Sequence, residues 1–111
     1  MSYKRILLKL SGEVLAGKKE LGHDKDVLEE IAQSIKAIYD RGIQIGLVIG
    51  GGNIFRGREA SELGINRVQG DYAGMLATVI NAILLQDILE QNGIITRVMT
   101  ASEMKDFGDH D

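Results

Sequence analysis

Apolar residues along the chain follow two different spacings, and the alternation of these spacings predicts the order of strands and helices. Three short, mostly apolar runs, at residues 4–10, 43–49 and 94–99, are typical of buried strands. Two longer segments, over residues 26–41 and 71–91, repeat apolar residues at helical spacing. Strands that alternate with helices predict an α/β protein whose sheet is mainly parallel and carries helices on its faces.

Capping residues mark the ends of the predicted helices. Asp26 and Glu29 fit a capping box at the start of the first helix, and Asp24 is a competing cap. Gly42 suits the position just past the end of that helix. The second helix is expected to turn one broad apolar face to the core, formed by Met75, Leu76, Val79, Ile80, Ile83, Leu84, Ile88 and Leu89.

The connecting segments lack a clear period. Residues 11–25 are expected to form a long loop, and a short helix is expected to begin within residues 53–57. Residues 58–70 predict an irregular stretch with room for one helical turn, and residues 102–111 form a mostly polar tail. Continuous apolar strands suit a sheet that is covered on both faces, and three strands make a small sheet. We therefore expect the chain to be a piece of a larger domain.

Composition narrows the class of protein. The 111 residues are 44% apolar and 26% charged, which is ordinary for a soluble globular domain. The net charge of −3 gives no electrostatic basis for binding a nucleic acid polymer. The lack of cysteine in the sequence excludes disulfides and thiolate metal sites. No apolar run reaches the ~20 residues of a membrane span, and no targeting segment is evident, so we expect a soluble, cytoplasmic protein.

The clearest candidate for chemistry is the run Gly50, Gly51, Gly52 and Asn53, which follows a predicted strand and precedes a predicted helix. Backbone N–H groups at such a turn suit an anion, and glycine lets a phosphate approach the backbone without a Cβ in the way. A tight turn that binds nothing is the alternative. The run matches neither the Walker A motif nor the spaced dinucleotide fingerprint.

Two cationic side chains flank this run in the sequence. Lys9 lies near the end of the first predicted strand, and ligands of open α/β sheets bind beyond the carboxyl ends of strands, where Ser11 and Gly12 would also lie. A lysine that simply reaches solvent from a strand end explains Lys9 about equally well. Arg56 could place its donors on a phosphate, although a surface arginine is the more common situation.

The remaining polar candidates carry weaker signals. Asp71, at the start of the second long predicted helix, fits either an N-cap or an acceptor for ribose hydroxyls. His23 is predicted to be a surface residue, and the Asp-His-Asp triplet at residues 109–111 to be solvated. The sequence contains no evident nucleophile or histidine base. Glycines, Lys and Arg together favour phosphoryl transfer, which depends mainly on positioning and charge neutralisation.

Three motifs resemble bacterial uridylate kinases, which have the amino-acid kinase fold. They are KRILLKLSGE at residues 4–13, VIGGGNIFRG at residues 48–57 and NRVQGDYAGMLATVIN at residues 66–81. The first two occur in looser form in acetylglutamate, aspartate and carbamate kinases, whereas the third is more specific to the uridylate branch. The resemblance implies a three-layer α/β/α fold with a mainly parallel sheet. Residues 1–111 would form the N-terminal, UMP-binding half of one domain.

The resemblance also implies roles for particular residues. Lys9 and Arg56 would be catalytic, with Lys9 stabilising the transferring phosphoryl group. Gly51 and Asp71 would hold UMP, with Asp71 on the ribose. The ATP side would comprise Lys9, Leu10, Ser11, Gly12, Gly52 and Arg56. The loop that the family links to activation by GTP would comprise Gly17, Lys18, Lys19, Glu20, Leu21 and Gly22. The family uses Mg²⁺ with ATP and commonly forms hexamers, with the long helix at subunit contacts.

Family members are about twice as long as this chain, and their second half supplies the adenine pocket and an acidic residue of the transfer site. We therefore expect the 111 residues alone to be inactive. Two alternatives stay open at this point. The chain could be part of another kinase of the same fold. It could instead be a truncated, noncatalytic protein that binds nucleotide or oligomerises through its long helix.

Overall fold

The computed structural model describes residues 5–19 and 21–99. These residues form two strands and four helices, with two short helices each preceding a long one in the chain. The elements are β1 (Arg5–Leu10), α1 (Gly12–Ala16), α2 (Lys25–Tyr39), β2 (Gln44–Ile49), α3 (Gly57–Glu62) and α4 (Arg67–Gln91).

The two strands are neighbours and run parallel, as the sequence predicts. Arg5 lies opposite Gln44 and Leu10 opposite Ile49, so both strands end at the same edge of the sheet. The Arg5 Nε donates to Gln44 Oε1 at 2.7 Å, which adds a side-chain bond to the ladder. A parallel pair needs a long crossover, and α2 supplies it. The predicted α/β class with a parallel sheet is therefore confirmed.

One face of this sheet is packed and the other is exposed. Side chains pointing to the packed face contact a core that combines α2, α4 and Ile94, three residues past the end of α4. This core comprises Ala32, Ile35, Leu85, Leu89 and Ile94, with Leu10, Ile45, Leu47 and Ile49 packed against it. On the other face, Leu7 is 65% exposed and Val48 is 50% exposed. Within the described residues, the expectation of strands buried on both faces is wrong, because both long helices contribute to the same core.

The third predicted strand is also not formed in the described part of the chain. Residues 94–99 adopt no strand ladder, and the Thr96 carbonyl accepts instead from the Gln86 side chain at 2.9 Å. Ile95 and Met99 are each 83% exposed, so the prediction that this segment is buried is wrong for these two residues. A sequence that favours strand forms one only when it pairs with a neighbouring edge, and these residues lie across an open groove from β2 without forming a ladder with it.

Helix α2 begins one residue earlier than predicted, and its cap is Asp24. The Asp24 carboxylate accepts from the backbone N–H groups of Asp26 and Val27 at 2.9 and 3.2 Å. The predicted capping box on Asp26 is therefore wrong, and Asp26 lies in the first turn, where its charge favours the helix dipole. Gly42 has a φ of 81° just beyond the helix, which agrees with its predicted role.

The other helices differ from expectation at their starts. Helix α1 lies within the predicted loop, and α3 lies within the segment that was expected to be irregular. Helix α4 begins at Arg67, four residues before Asp71, because Asn66 caps it by accepting from the Val68 N–H at 2.8 Å. The predicted short helix starting within residues 53–57 begins only at the end of that range.

The face that α4 buries is not the face predicted from the sequence. The buried residues Ala77, Asn81, Leu85 and Leu89 recur every fourth position. Four members of the predicted apolar face, Leu76, Ile80, Ile83 and Leu84, are 38 to 52% exposed. The helix is apolar almost all round, so spacing could not select one face. By length and composition alone α4 could cross a membrane, but core helices of soluble proteins pass the same test.

Candidate functional site

The carboxyl ends of the two strands meet where the glycine run begins. The Gly50 N–H donates to the Leu10 carbonyl at 3.0 Å, which extends the parallel ladder by one bond beyond β2. Gly12 is buried against this turn, and a Cβ at Gly12 would lie 2.5 Å from Gly52 N and 2.9 Å from Gly50 O. Because both obstacles are backbone atoms, residue 12 has to be glycine for the two segments to meet.

Gly50 to Gly52, which we call the glycine turn, also rest directly on α4. A Cβ at Gly51 would lie 2.6 Å from the Ala77 methyl carbon and 2.9 Å from Thr78 N. At Gly52 the nearest atoms belong instead to the Glu13 carboxylate, which is a flexible and exposed group. The structure therefore brings the predicted residues Leu10, Gly12, Gly51 and Gly52 together at one edge of the sheet.

Two asparagines that the sequence interpretation missed hold this turn from inside. Asn53 and Asn81 are both fully buried. The Asn81 Nδ2 donates to Gly50 O at 2.8 Å and to Asn53 Oδ1 at 2.7 Å. Asn53 was noticed only as the last residue of the glycine run, and Asn81 was not singled out. A polar residue four positions after Ala77 and four before Leu85 was the available signal, because it interrupts the buried stripe of α4.

The loop before α2 is joined to the same turn. Asn53 and Gly22 exchange two hydrogen bonds: the Gly22 N–H donates to Asn53 O at 2.7 Å, and the Asn53 Nδ2 donates to Gly22 O at 2.8 Å. His23 is half-buried, and its Nε2 lies 2.7 Å from Asn81 Oδ1. The prediction of His23 as a surface residue is therefore wrong, because its ring fills the space between this loop and α4.

The described residues of the predicted effector loop lie beside the turn, with their side chains exposed to solvent. Gly17 ends α1 with a φ of 62°, while Lys18, Lys19 and Leu21 are exposed. The Lys19 Nζ donates to the His23 carbonyl at 3.0 Å. Glu20 lies outside the described residues. Through Gly22, the loop contacts the candidate anion site without entering it.

The two cationic candidates approach the turn from different directions. Lys9 is exposed on the open face of the sheet, where its Cα pairs with that of Val48, two residues before the turn. The charge therefore avoids the cost that burial in the strand would impose. Arg56 folds back on the turn, and its Nε donates to the Gly52 carbonyl at 2.7 Å. Its backbone N–H donates to Glu59 at 3.1 Å, which helps start α3.

Asp71 and Ser11 lie at the margin of the site. Asp71 is exposed on α4, and it is not the N-cap, because Asn66 holds that position. Asp71 stands six residues before Ala77, or about 9 Å along the helix axis at ~1.5 Å per residue. Ser11 is exposed and precedes α1, without a capping bond from its side chain. The ribose role of Asp71 stays a prediction.

The arrangement suits a phosphate group at the turn. Three glycines follow the end of a parallel strand, with Gly51 buried and Gly50 and Gly52 half-buried. Arg56 bonds the turn, and Lys9 lies one residue before Leu10, whose carbonyl accepts from Gly50. A separate open groove of about 1020 Å³ lies along β2 and the residues after α4. This groove is mainly apolar and contains none of the candidate site residues. We therefore place the candidate functional site at the turn and not in the groove.

Residues 4–109 of this chain match the sequence model of the amino acid kinase family. The chain therefore belongs to the amino acid kinase family. It is 50% identical over 109 residues to a uridylate kinase of Limosilactobacillus reuteri (strain DSM 20016), covering 98% of this chain and 45% of that protein. It is also 50% identical over 104 residues to a uridylate kinase of Rickettsia typhi (strain ATCC VR-144 / Wilmington), covering 94% of this chain and 43% of that protein.

Solved structures give the same result. The fold is similar to a UMP kinase from Bacillus anthracis, with a TM-score of 0.77 and 47% identity over 82% of this chain and 37% of that chain. It is similar to a UMP kinase from Ureaplasma parvum, with a TM-score of 0.83 and 33% identity over 96% of this chain and 45% of that chain. The chain thus spans less than half the length of these relatives. The resemblance found in the sequence motifs is confirmed.

Proposed function

We propose that this chain forms the UMP-binding half of a UMP kinase, which transfers a phosphoryl group from ATP to UMP to give UDP and ADP in pyrimidine nucleotide biosynthesis. The observation that carries the proposal is the glycine turn itself. Gly50 to Gly52 sit on α4 and against Gly12, with Arg56 bonded to the turn, in a chain that is 50% identical to uridylate kinases.

The proposed roles are those that the resemblance to uridylate kinases implies for these residues. Gly51 and Asp71 bind UMP, and the absence of a Cβ at Gly51 lets the turn lie directly on α4. Leu10, Ser11, Gly12 and Gly52 border the ATP phosphates. Lys9 and Arg56 neutralise the charge that spreads over the phosphoryl oxygens during transfer. Transfer of this kind requires no covalent intermediate on the protein, and this is consistent with a turn made of backbone and cationic groups.

The proposed Mg²⁺ is bound with ATP. Mg²⁺ keeps several waters and takes one or two carboxylates plus the phosphates of its nucleotide. Among the described residues there is no group of three His, Asp or Glu side chains that could hold a metal, so this part of the chain does not fit a metal cage of its own. We therefore assign no step to a metal ligand in these residues.

Three further properties belong to the proposal. GTP is a candidate effector, acting at the loop from Gly17 to Gly22, which is bonded to the turn through Asn53. A homo-oligomer, a hexamer as in the family resemblance, is supported by the exposed apolar side chains on α4. A cytoplasmic location fits the soluble composition, and no nucleic acid polymer or membrane is expected as a partner.

The test is UMP-dependent formation of ADP from MgATP by the natural full-length protein. We expect turnover with UMP, and little with CMP, acetylglutamate or aspartate. Lys9→Ala should lower kcat about 100-fold, because a donor on the transferring group is lost. Lys36→Ala serves as the matched control, since Lys36 forms only an exposed ion pair with Asp40 at 3.3 Å.

Other outcomes would redirect the assignment. Turnover of acetylglutamate or aspartate without UMP would make the chain part of another kinase of the family. The absence of turnover with every substrate, combined with UMP binding, would favour a noncatalytic nucleotide-binding protein. ADP formation by residues 1–111 alone would contradict the expectation that this piece is inactive.

A further inference from the structure

Beside the glycine turn lies a polar cluster of Asn53, Asn81 and His23 that the proposed chemistry does not use. Both asparagine side chains are fully buried, yet no buried polar side-chain atom in the described residues lacks a partner. A buried network of this kind stiffens its surroundings when every member is paired, and is costly when one is not. The cluster is therefore a constraint on the backbone around it.

The Asn81 amide bonds His23 as well as the turn. The Asn81 Oδ1 can only accept, so the His23 Nε2 at 2.7 Å must carry the hydrogen. The Asn53 Nδ2 lies 3.2 Å from the same Nε2, and two donors do not bond, so that approach adds no hydrogen bond. Without the imidazole donor, the Asn81 amide loses its hydrogen bond to the loop before α2 and keeps only its bonds to the turn.

The orientation of Asn81 in turn fixes the start of the glycine turn. Its Nδ2 donates to Gly50 O at 2.8 Å and to Asn53 Oδ1 at 2.7 Å. If the amide turned over, Oδ1 would face both of these oxygens and Nδ2 would face the His23 donor, so all three hydrogen bonds would be lost. His23 therefore favours the one amide orientation that satisfies the turn.

The end of the turn is fixed by the other half of the cluster. Asn53 is held to Gly22 by two hydrogen bonds of 2.7 and 2.8 Å, and His23 is the next residue after Gly22. Asn81 thus holds Gly50 from α4, and the loop that carries His23 holds Asn53. The two residues between them, Gly51 and Gly52, are the ones proposed to contact nucleotide phosphates.

We propose that His23 is a positioning residue, which acts through Asn81 and Asn53 to keep the backbone of Gly50 to Gly52 in the conformation that receives nucleotide phosphate. His23 itself touches no substrate in this assignment. The proposal rests on the proposed function for the identity of the ligand alone. The hydrogen-bond path and its effect on the turn are independent of that identity.

The experiment compares three variants of the natural full-length protein at a temperature where all are folded. His23→Leu removes the donor and keeps an apolar side chain of similar size, whereas His23→Gln can still donate from its Nε2. Lys25→Ala, at an exposed residue two positions further on, is the matched control. The readouts are kcat, KM for UMP and ATP, and hydrogen exchange of residues 50–55 without ligand. This segment includes the amides of Ile54 and Phe55, which donate to the Gly51 carbonyl at 2.9 and 3.0 Å.

We expect His23→Leu to raise the KM for UMP about three- to tenfold, which is the effect of one lost hydrogen bond. Exchange of residues 50–55 should accelerate by a similar factor. His23→Gln should stay within about twofold of the natural protein in both readouts, and Lys25→Ala should match it.

Two results would overturn the proposal. One is a His23→Leu protein with a lower Tm but with unchanged KM values and unchanged exchange over residues 50–55, because His23 would then be structural only. The other is an equal loss in His23→Leu and His23→Gln, because the donor would then be irrelevant. If the natural protein shows no UMP turnover but His23→Leu still accelerates exchange and His23→Gln does not, the proposed function fails and the positioning role stands.

Discussion

The two regions of this molecule at the strand ends and on the open face of the sheet differ in how tightly they are packed. At the carboxyl ends of the strands, Gly12 and Gly51 have no room for a methyl group, and two buried asparagines are fully paired. On the open face of the sheet, Leu7 and Val48 are at least half exposed. The difference shows that the candidate site depends on close contacts among residues 10–81, including the bond from the Gly50 N–H to the Leu10 carbonyl. The apolar surface of the sheet contributes little to it.

The largest expected effect comes from Asn81, on the closed side. Asn81→Ala leaves Gly50 O and Asn53 Oδ1 without their buried donor, which should cost about 3 kcal/mol of unfolding free energy at ~1–3 kcal/mol for each unpaired group. Asn92→Ala, at the C-cap just past the end of the same helix, is the control, since Asn92 bonds the exposed Gln33 and the Ile88 carbonyl. It should lose under about 1 kcal/mol. Denaturant titration measures both, and equal losses would contradict the importance of the buried pair.

The next largest effect tests the lack of space at the turn. Gly51→Ala should destabilise the fold by about 1–3 kcal/mol, because its Cβ would meet Ala77 and the backbone of Thr78. Gly74→Ala, on α4 where nothing lies within 4 Å, should gain up to about 1 kcal/mol through helix propensity. Thermal and denaturant unfolding of the pair gives the comparison. The two variants are expected to change the unfolding free energy in opposite directions. If both changed it in the same direction, the turn would be able to shift away from Ala77 and Thr78.

A moderate effect is expected at the cap of α2, which anchors the loop of the closed side. Asp24→Ala should cost about 1 kcal/mol, because two backbone N–H groups lose their acceptor. Asp24→Asn keeps an oxygen acceptor and should recover most of the loss. Asp26→Ala should cost about 0.5 kcal/mol through the helix dipole alone. If Asp26→Ala were the more costly of the two alanine variants, the capping box predicted from sequence would be the correct one.

The smallest effect is expected on the open face. Val48→Thr changes a methyl to a hydroxyl at a half-exposed strand position, so the unfolding free energy of residues 1–111 should change by no more than about 0.5 kcal/mol. The same substitution in the natural full-length protein reports on the comparison itself. A cost of about 1–3 kcal/mol there would mean that this face is covered by residues beyond the described ones.

What the sequence predicts well is what local chemistry decides. The two strands, the body of α2, the glycine turn and the rival cap Asp24 all follow from spacing and residue type within short windows. Residues 94–99 do not form the predicted strand, because strand formation also depends on pairing across the groove with β2, which no local pattern decides. The buried face of α4 failed because nearly every face is apolar and the deciding feature is the small Ala77, which lets Gly51 approach.

Within the candidate site, the sequence identified the glycines that form the turn and missed residues that hold it. Gly12, Gly51 and Gly52 were predicted and lie together. Asn81 was not singled out and His23 was predicted to be a surface residue, because a contact between residues 58 positions apart is visible in a single sequence only as a polar residue within the apolar α4. Asp71 was predicted to lie at the start of the second long helix, but that helix begins at Arg67, after its cap Asn66. The start was missed because residues 58–70 show no clear apolar period.

The contact between Gly51 and α4 has one further consequence. The obstacle to a side chain at residue 51 includes the helix backbone at Thr78, so shrinking Ala77 to glycine would not make room. Sideways travel of α4 by less than the width of a methyl group therefore either presses on the turn or loosens it. The outer side of this helix carries the exposed Ile80, Ile83 and Leu84. A partner bound to those side chains and a phosphate bound at the turn would both act on the position of α4. Each would therefore affect the binding of the other.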